Sequence, residues 1–94
     1  MITINEIKLE HGLIRYVETG SGHSVLYIHG LGASGTEDFP PAFPYMPEFH
    51  HLAPDLYGFG YSDKPLEYSY SLTDQASSLL KLLDCLKVST VSVV

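Results

Sequence analysis

The sequence has 94 residues, enough for one small domain, and its 45% apolar and 17% charged residues suit a folded globular chain better than a disordered one. A formal charge of −6, with no basic cluster able to follow a phosphate backbone, makes nucleic acid a poor candidate partner. Residues 1–10 carry Glu6, Lys8 and Glu10 among their apolar positions, unlike a secretory signal, and no apolar run is long enough to span a bilayer, so the cytoplasm is the expected location.

Residues 3–9 and 13–18 are β-rich, and His11-Gly12 between them suits a hairpin turn. Thr19-Gly20-Ser21-Gly22 supplies a second turn. Residues 24–28 form a nearly continuous apolar run, the pattern of a strand buried on both faces of a parallel sheet. A weaker strand pattern follows at 49–53. Between them, Pro40, Pro41, Pro44 and Pro47 each lack a backbone N–H, which predicts a short or broken helical connection. The clearest helix is 71–86, where Leu72, Ala76, Leu79, Leu80, Leu83 and Leu86 recur at three- and four-residue steps. Ser71 with Asp74 gives it a start signal, and the lone Cys85 inside it reads as a free thiol in a reducing compartment. Residues 88–94 are β-branched almost throughout and predict one more strand. The order is an α/β arrangement: an antiparallel hairpin, then parallel strands joined by crossover helices.

In such sheets ligands bind beyond the carboxyl ends of the strands. The loop after Ile28 reads His29-Gly30-Leu31-Gly32, and the one after Pro54 reads Asp55-Leu56-Tyr57-Gly58-Phe59-Gly60-Tyr61-Ser62-Asp63. An H-G-x-G loop followed by D-x-x-G-x-G-x-S-D resembles the α/β-hydrolase superfamily, from about Arg15 to Val94. The resemblance implies that the Leu31 N–H is an oxyanion donor. Gly30 and Gly32 would shape its loop, His29 would brace it, and Asp55, Gly58, Gly60 and Ser62 would form the second loop.

In that family the nucleophile sits in G-x-S-x-G, on a turn between a strand and a helix, and the strand concerned resembles 88–94. No G-x-S-x-G occurs in this sequence; Gly32-Ala33-Ser34-Gly35-Thr36 lacks the last glycine and lies on another loop. The expectation is therefore that residues 1–94 are the N-terminal part of a single α/β-hydrolase domain, a partial sheet that stops before the catalytic serine. The chain is then inactive alone. The complete protein would be a serine-type hydrolase of a small-molecule substrate, with no metal and no cofactor. Leu31 lacks the Asn or Glu that the dehalogenase-like pattern has at this position, and Gly32 departs from the H-G-x-P of many epoxide hydrolases, so ester, acyl or C–C bond hydrolysis is favoured.

Other readings compete. Ser34 or Ser62 with His29 and Asp55 could assemble a triad at one sheet edge. Gly30-x-Gly32-x-x-Gly35 with a later Asp55 approaches a dinucleotide-binding layout, although the prolines spoil the long helix it needs. His50-His51 could suggest a metal, but adjacent strand residues face opposite ways. Tyr57, Tyr61, Tyr68 and Tyr70 read as loop packing. A non-enzymatic remnant or one half of a split protein is the alternative function, and self-association through an exposed C-terminal strand is expected.

Overall fold

The structure, a computed structural model, describes residues 3–94. Ile4–Leu9 (β1) and Gly12–Thr19 (β2) pair antiparallel, with Ile7 opposite Ile14, around a two-residue Glu10-His11 turn one position earlier than expected. His50–Pro54 (β4) lies antiparallel on the other side of β2, with Val17 opposite Ala53. Ser24–Leu26 (β3) runs parallel to β4, and Ser92–Val93 (β5) runs parallel to β3, giving the order β1-β2-β4-β3-β5. Hairpin first and parallel strands after is the predicted arrangement.

The prolines break the β3–β4 crossover as expected. It holds one four-residue helix, Gly35–Asp38 (α1), followed by a 3₁₀ turn at Pro40–Tyr45. Leu72–Cys85 (α2) carries the chain from β4 to β5. Neighbouring strand residues bury on opposite faces. Leu26 and Leu52 join Ile14, Tyr16 and the α2 leucines, whereas Val25, Tyr27 and Ala53 meet Phe39 and Phe43 of the crossover.

Three expectations need correction. The strand at 24–28 ends at Leu26, and the Ile28 side chain is exposed, although ladder bonds continue from Tyr27 N–H to the Leu52 carbonyl and from Ile28 N–H to the Val94 carbonyl. The strand at 88–94 shortens to β5 because Val88 N–H bonds back to the Leu83 carbonyl and is spent closing the helix. The buried face of α2 is Gln75, Ser78, Leu79, Leu82 and Leu83, while Leu72, Ala76 and Leu80 point outward and Leu72 is 89% exposed. Two polar ties set that rotation: Gln75 Nε2 donates to the Tyr57 carbonyl at 3.0 Å, and the Tyr68 and Ser78 hydroxyls meet at 3.2 Å. The Ser71 hydroxyl does accept the Asp74 N–H, as its spacing predicted. Cys85 is a free, exposed thiol. Among the described residues no helix is long and apolar enough to cross a membrane.

Candidate functional site

β3 and β4 are parallel, so the loops that leave them stand side by side at one end of the sheet. The first is braced by His29, which is buried. The Leu56 N–H donates to its Nε2 at 3.0 Å, so that nitrogen carries no proton, and its Nδ1–H then donates to the Gly30 carbonyl at 2.9 Å. This imidazole is a neutral strut between the two loops. Its ring meets Phe59 edge-on, with centroids 5.2 Å apart. Beyond it the chain turns through Gly32 at φ 72°, and the Ala33 N–H closes back on the Gly30 carbonyl at 3.2 Å. Leu31 sits at the tip, 91% exposed, and among the described residues nothing accepts a bond from its N–H.

Asp55 holds the other end of this loop. It is completely buried, and both carboxylate oxygens are engaged. Oδ1 accepts from Ser34 Oγ at 2.9 Å and from Thr36 N–H at 3.0 Å; Oδ2 accepts from Thr36 Oγ1 at 2.9 Å and from Tyr61 N–H at 2.8 Å. The carboxylate thus caps the start of α1, where unpaired N–H groups favour negative charge. Two glycines make room for it. A Cβ on Gly60 would fall 2.2 Å from Asp55 Oδ2, and one on Gly35 would fall 2.1 Å from the Pro54 carbonyl oxygen. The sequence put Ser34 beside Asp55 only in the triad reading and gave Thr36 no role; the one signal for the brace was a hydroxyl pair at the start of a proline-limited helix.

The rest of the second loop is bonded along β2 past the point where β4 ends. Asp55 N–H donates to the Arg15 carbonyl, and Asp63 N–H to the Leu13 carbonyl, both at 2.9 Å. Ser62 Oγ accepts the Arg15 N–H at 2.8 Å and donates to the Asp55 carbonyl at 2.6 Å. Asp63 is held below the usual carboxylate range, first by the Leu13 N–H and then by the Arg15 guanidinium. Gly58 turns at φ 88°, leaving no room for a Cβ against the Tyr70 ring. A cleft of about 460 Å³ opens beside both loops, walled by His29, Leu31, Leu56, Phe59, Tyr70 and Gln75, with Lys64 at its border.

This geometry separates the competing assignments. Ser34 reaches Asp55, but both His29 nitrogens are committed to backbone groups, so no base faces it. Ser62 bonds the Asp55 carbonyl and not its carboxylate. The dinucleotide layout fails physically: α1 has four residues, and the Asp55 carboxylate already occupies the helix start where a pyrophosphate would need to bind. His50 and His51 face opposite ways. His51 is buried, with Nε2–H donating to the Met46 carbonyl at 2.7 Å and the Tyr27 O–H donating to Nδ1 at 2.8 Å. No group of three or more possible metal ligands gathers among the described residues. Tyr57 and Tyr68 are core residues with ring centroids 5.0 Å apart, and burial pushes both phenols up. Tyr70 stacks edge-on to Tyr68, and Tyr61 is half exposed beside Glu37, which holds its phenol up.

One constellation had no sequence signal. His50 Nε2 meets a Glu18 carboxylate oxygen at 2.6 Å, and its Nδ1 meets Ser24 Oγ at 2.7 Å. These residues come from β4, β2 and β3, at the amino ends of the parallel strands, and none of them lines the cleft. They tie three strands together.

The comparisons with known proteins agree with this layout. The family model for the alpha/beta hydrolase fold matches residues 23–94. An uncharacterised protein of Mycobacterium tuberculosis is 34% identical over 90 residues, which is 95% of this chain and 26% of that protein. Lipase 1 of Psychrobacter immobilis is 36% identical over 70 residues, 72% of this chain and 22% of the lipase. A crystal structure of a haloalkane dehalogenase loop variant from Bradyrhizobium elkanii superposes with a TM-score of 0.89 at 32% identity, over 99% of this chain and 31% of that one. The chain therefore spans about a fifth to a third of the length of these proteins. Matched over residues 23–94 and folded on the same sheet, it belongs to the alpha/beta hydrolase family.

Proposed function

We infer that this chain supplies the oxyanion loop of a serine-type hydrolase acting on esters or related acyl compounds, with the nucleophile, acid and base histidine contributed by other residues. The observation that carries the reading is the His29-Gly30-Leu31-Gly32 turn. It stands at the carboxyl end of β3 with the Leu31 N–H unengaged beside an open cleft. A developing oxyanion needs a donor that is already aimed and not committed to the protein. A neutral His29 strut and a buried Asp55 brace keep the backbone there from relaxing onto another acceptor. Similarity to a lipase supports an acyl substrate, and the apolar Leu31 side chain gives no polar group of the dehalogenase-like kind.

The chain alone is expected to hydrolyse short-chain activated esters no faster than buffer, because no base faces Ser34 or Ser62. Turnover that vanished in Ser34→Ala or Ser62→Ala would overturn this. The coding sequence after Val94 separates the two function classes. A Gly-x-Ser-x-Gly motif there supports the hydrolase, whereas a stop codon favours a remnant or one half of a split protein.

A further inference from the structure

We propose that Asp55 is the positioning residue for the Leu31 N–H, a role that rests on the hydrolase reading above. The loop after β3 is pinned at both ends to the start of the loop after β4. At one end the Leu56 N–H holds His29 Nε2; at the other the Asp55 carboxylate holds Ser34 Oγ and the Thr36 N–H. Gly30, Leu31, Gly32 and Ala33 lie between the pins. Two of those four are glycines and the leucine side chain is almost wholly in solvent; Ala33 is half-buried and its N–H closes on the Gly30 carbonyl, so the segment is a small turn with little side-chain packing of its own. The pins therefore set where the Leu31 N–H stands.

Asp55 is the stronger pin by count and by charge. Its two oxygens accept four bonds with no exposure to water, and a carboxylate bonds more strongly than a neutral acceptor. The same carboxylate takes the Tyr61 N–H, so one group sets the spacing of both loops. The close approach is built into the backbone, since a Cβ at Gly35 or Gly60 would collide with the Pro54 carbonyl or with Asp55 itself. An asparagine has one acceptor oxygen in place of two, so Asp55→Asn keeps only part of this set.

The test has two arms. In the 94-residue chain, amide hydrogen exchange and chemical shifts are compared between the wild type and Asp55→Asn. The Leu31 and Ala33 amide resonances are expected to shift and the Ala33 amide, bonded to the Gly30 carbonyl, to exchange faster, while the Val17 and Ala53 sheet amides hold. Changes confined to Thr36 and Tyr61 would overturn the proposal. If Asp55→Asn does not fold, Ser34→Ala removes one of the four bonds to the carboxylate, together with the Ser34–Thr36 hydroxyl contact, and is read in the same way. In a protein that carries the nucleophile, kcat per titrated nucleophile should fall about tenfold with KM nearly unchanged, short of the roughly hundredfold loss of an oxyanion donor itself. An unchanged kcat sinks the positioning role and leaves the hydrolase reading intact. Absence of ester hydrolysis in the unmutated protein sinks the hydrolase reading, and the amide arm still decides whether Asp55 sets the loop.

Discussion

Asp63 is half-buried, and the surrounding loop lowers the pH at which it titrates. The Leu13 N–H donates to Oδ2 at 2.8 Å and Arg15 Nη1 lies 3.2 Å from Oδ1; together they hold the folded-state pKa below the usual carboxylate range. A depressed folded pKa contributes stability that is present above the unfolded value and lost as pH falls through the folded one. Asp63→Asn should therefore lower the urea midpoint near pH 7, and the difference from wild type should shrink at acid pH, below the lowered folded-state value, where the wild-type carboxyl is protonated in both states. An equal difference at both pH values would mean that Asp63 acts through shape alone. Its neighbours show how far single residues were legible. Ser62 was read as a loop former, and its hydroxyl bonds Arg15 and Asp55 backbone atoms. Asp55 was read in the same way, but its partners Ser34 and Thr36 lie on the preceding connection, 21 and 19 residues away, and no local pattern records such pairs.

Among the elements, α2 separates what periodicity can fix from what it cannot. Its existence and its Ser71 start were legible, because an N-cap is a local bond. Its rotation was not. Leucines at 79, 80, 82, 83 and 86 allow two overlapping apolar stripes, and the choice between them falls to Gln75 and Ser78, polar residues that a hydrophobic count ignores. The helix ends where expected, with Leu86 as its C-cap, but the bonds that close it had no sequence signal. The Val88 N–H reaches the Leu83 carbonyl and the Lys87 N–H reaches the Asp84 carbonyl, the bond pair that closes a helix through a left-handed residue. That residue is Lys87, at φ 59°, where glycine is the usual signal. The left-handed penalty of about 1–2 kcal/mol exceeds the entropic cost of a glycine, about 0.5–1 kcal/mol, so Lys87→Gly should stabilise the chain by about 0.5 kcal/mol. The urea midpoint should rise in Lys87→Gly and not in Lys87→Ala. A fall in Lys87→Gly would show that the Lys87 side chain contributes more than its backbone costs.

At the scale of the molecule, alternating strands and helices made the mixed sheet legible, but not that its last strand would pair through only two residues. β5 nonetheless lies at one edge, and that edge is where association of these 94 residues is predicted. The Val94 N–H bonds the Leu26 carbonyl and the Val94 carbonyl takes the Ile28 N–H, so the alternation of a strand turns the Val93 N–H and C=O outward. Val93 and Val94 are both more than half exposed, and an unpaired apolar edge is a template for another strand. The formal charge of −6 opposes close approach, and added salt screens that repulsion. Size-exclusion chromatography should therefore show a larger species that grows with protein concentration and with salt. Val93→Pro discriminates the cause, since it removes the outward N–H while leaving the Val94 bonds to β3 in place. It should return the chain to a monomer, and Val93→Lys should do the same by placing charge on the edge. A wild-type chain that stays monomeric at every concentration and salt, with a steep reversible urea transition, would show that this edge is not adhesive.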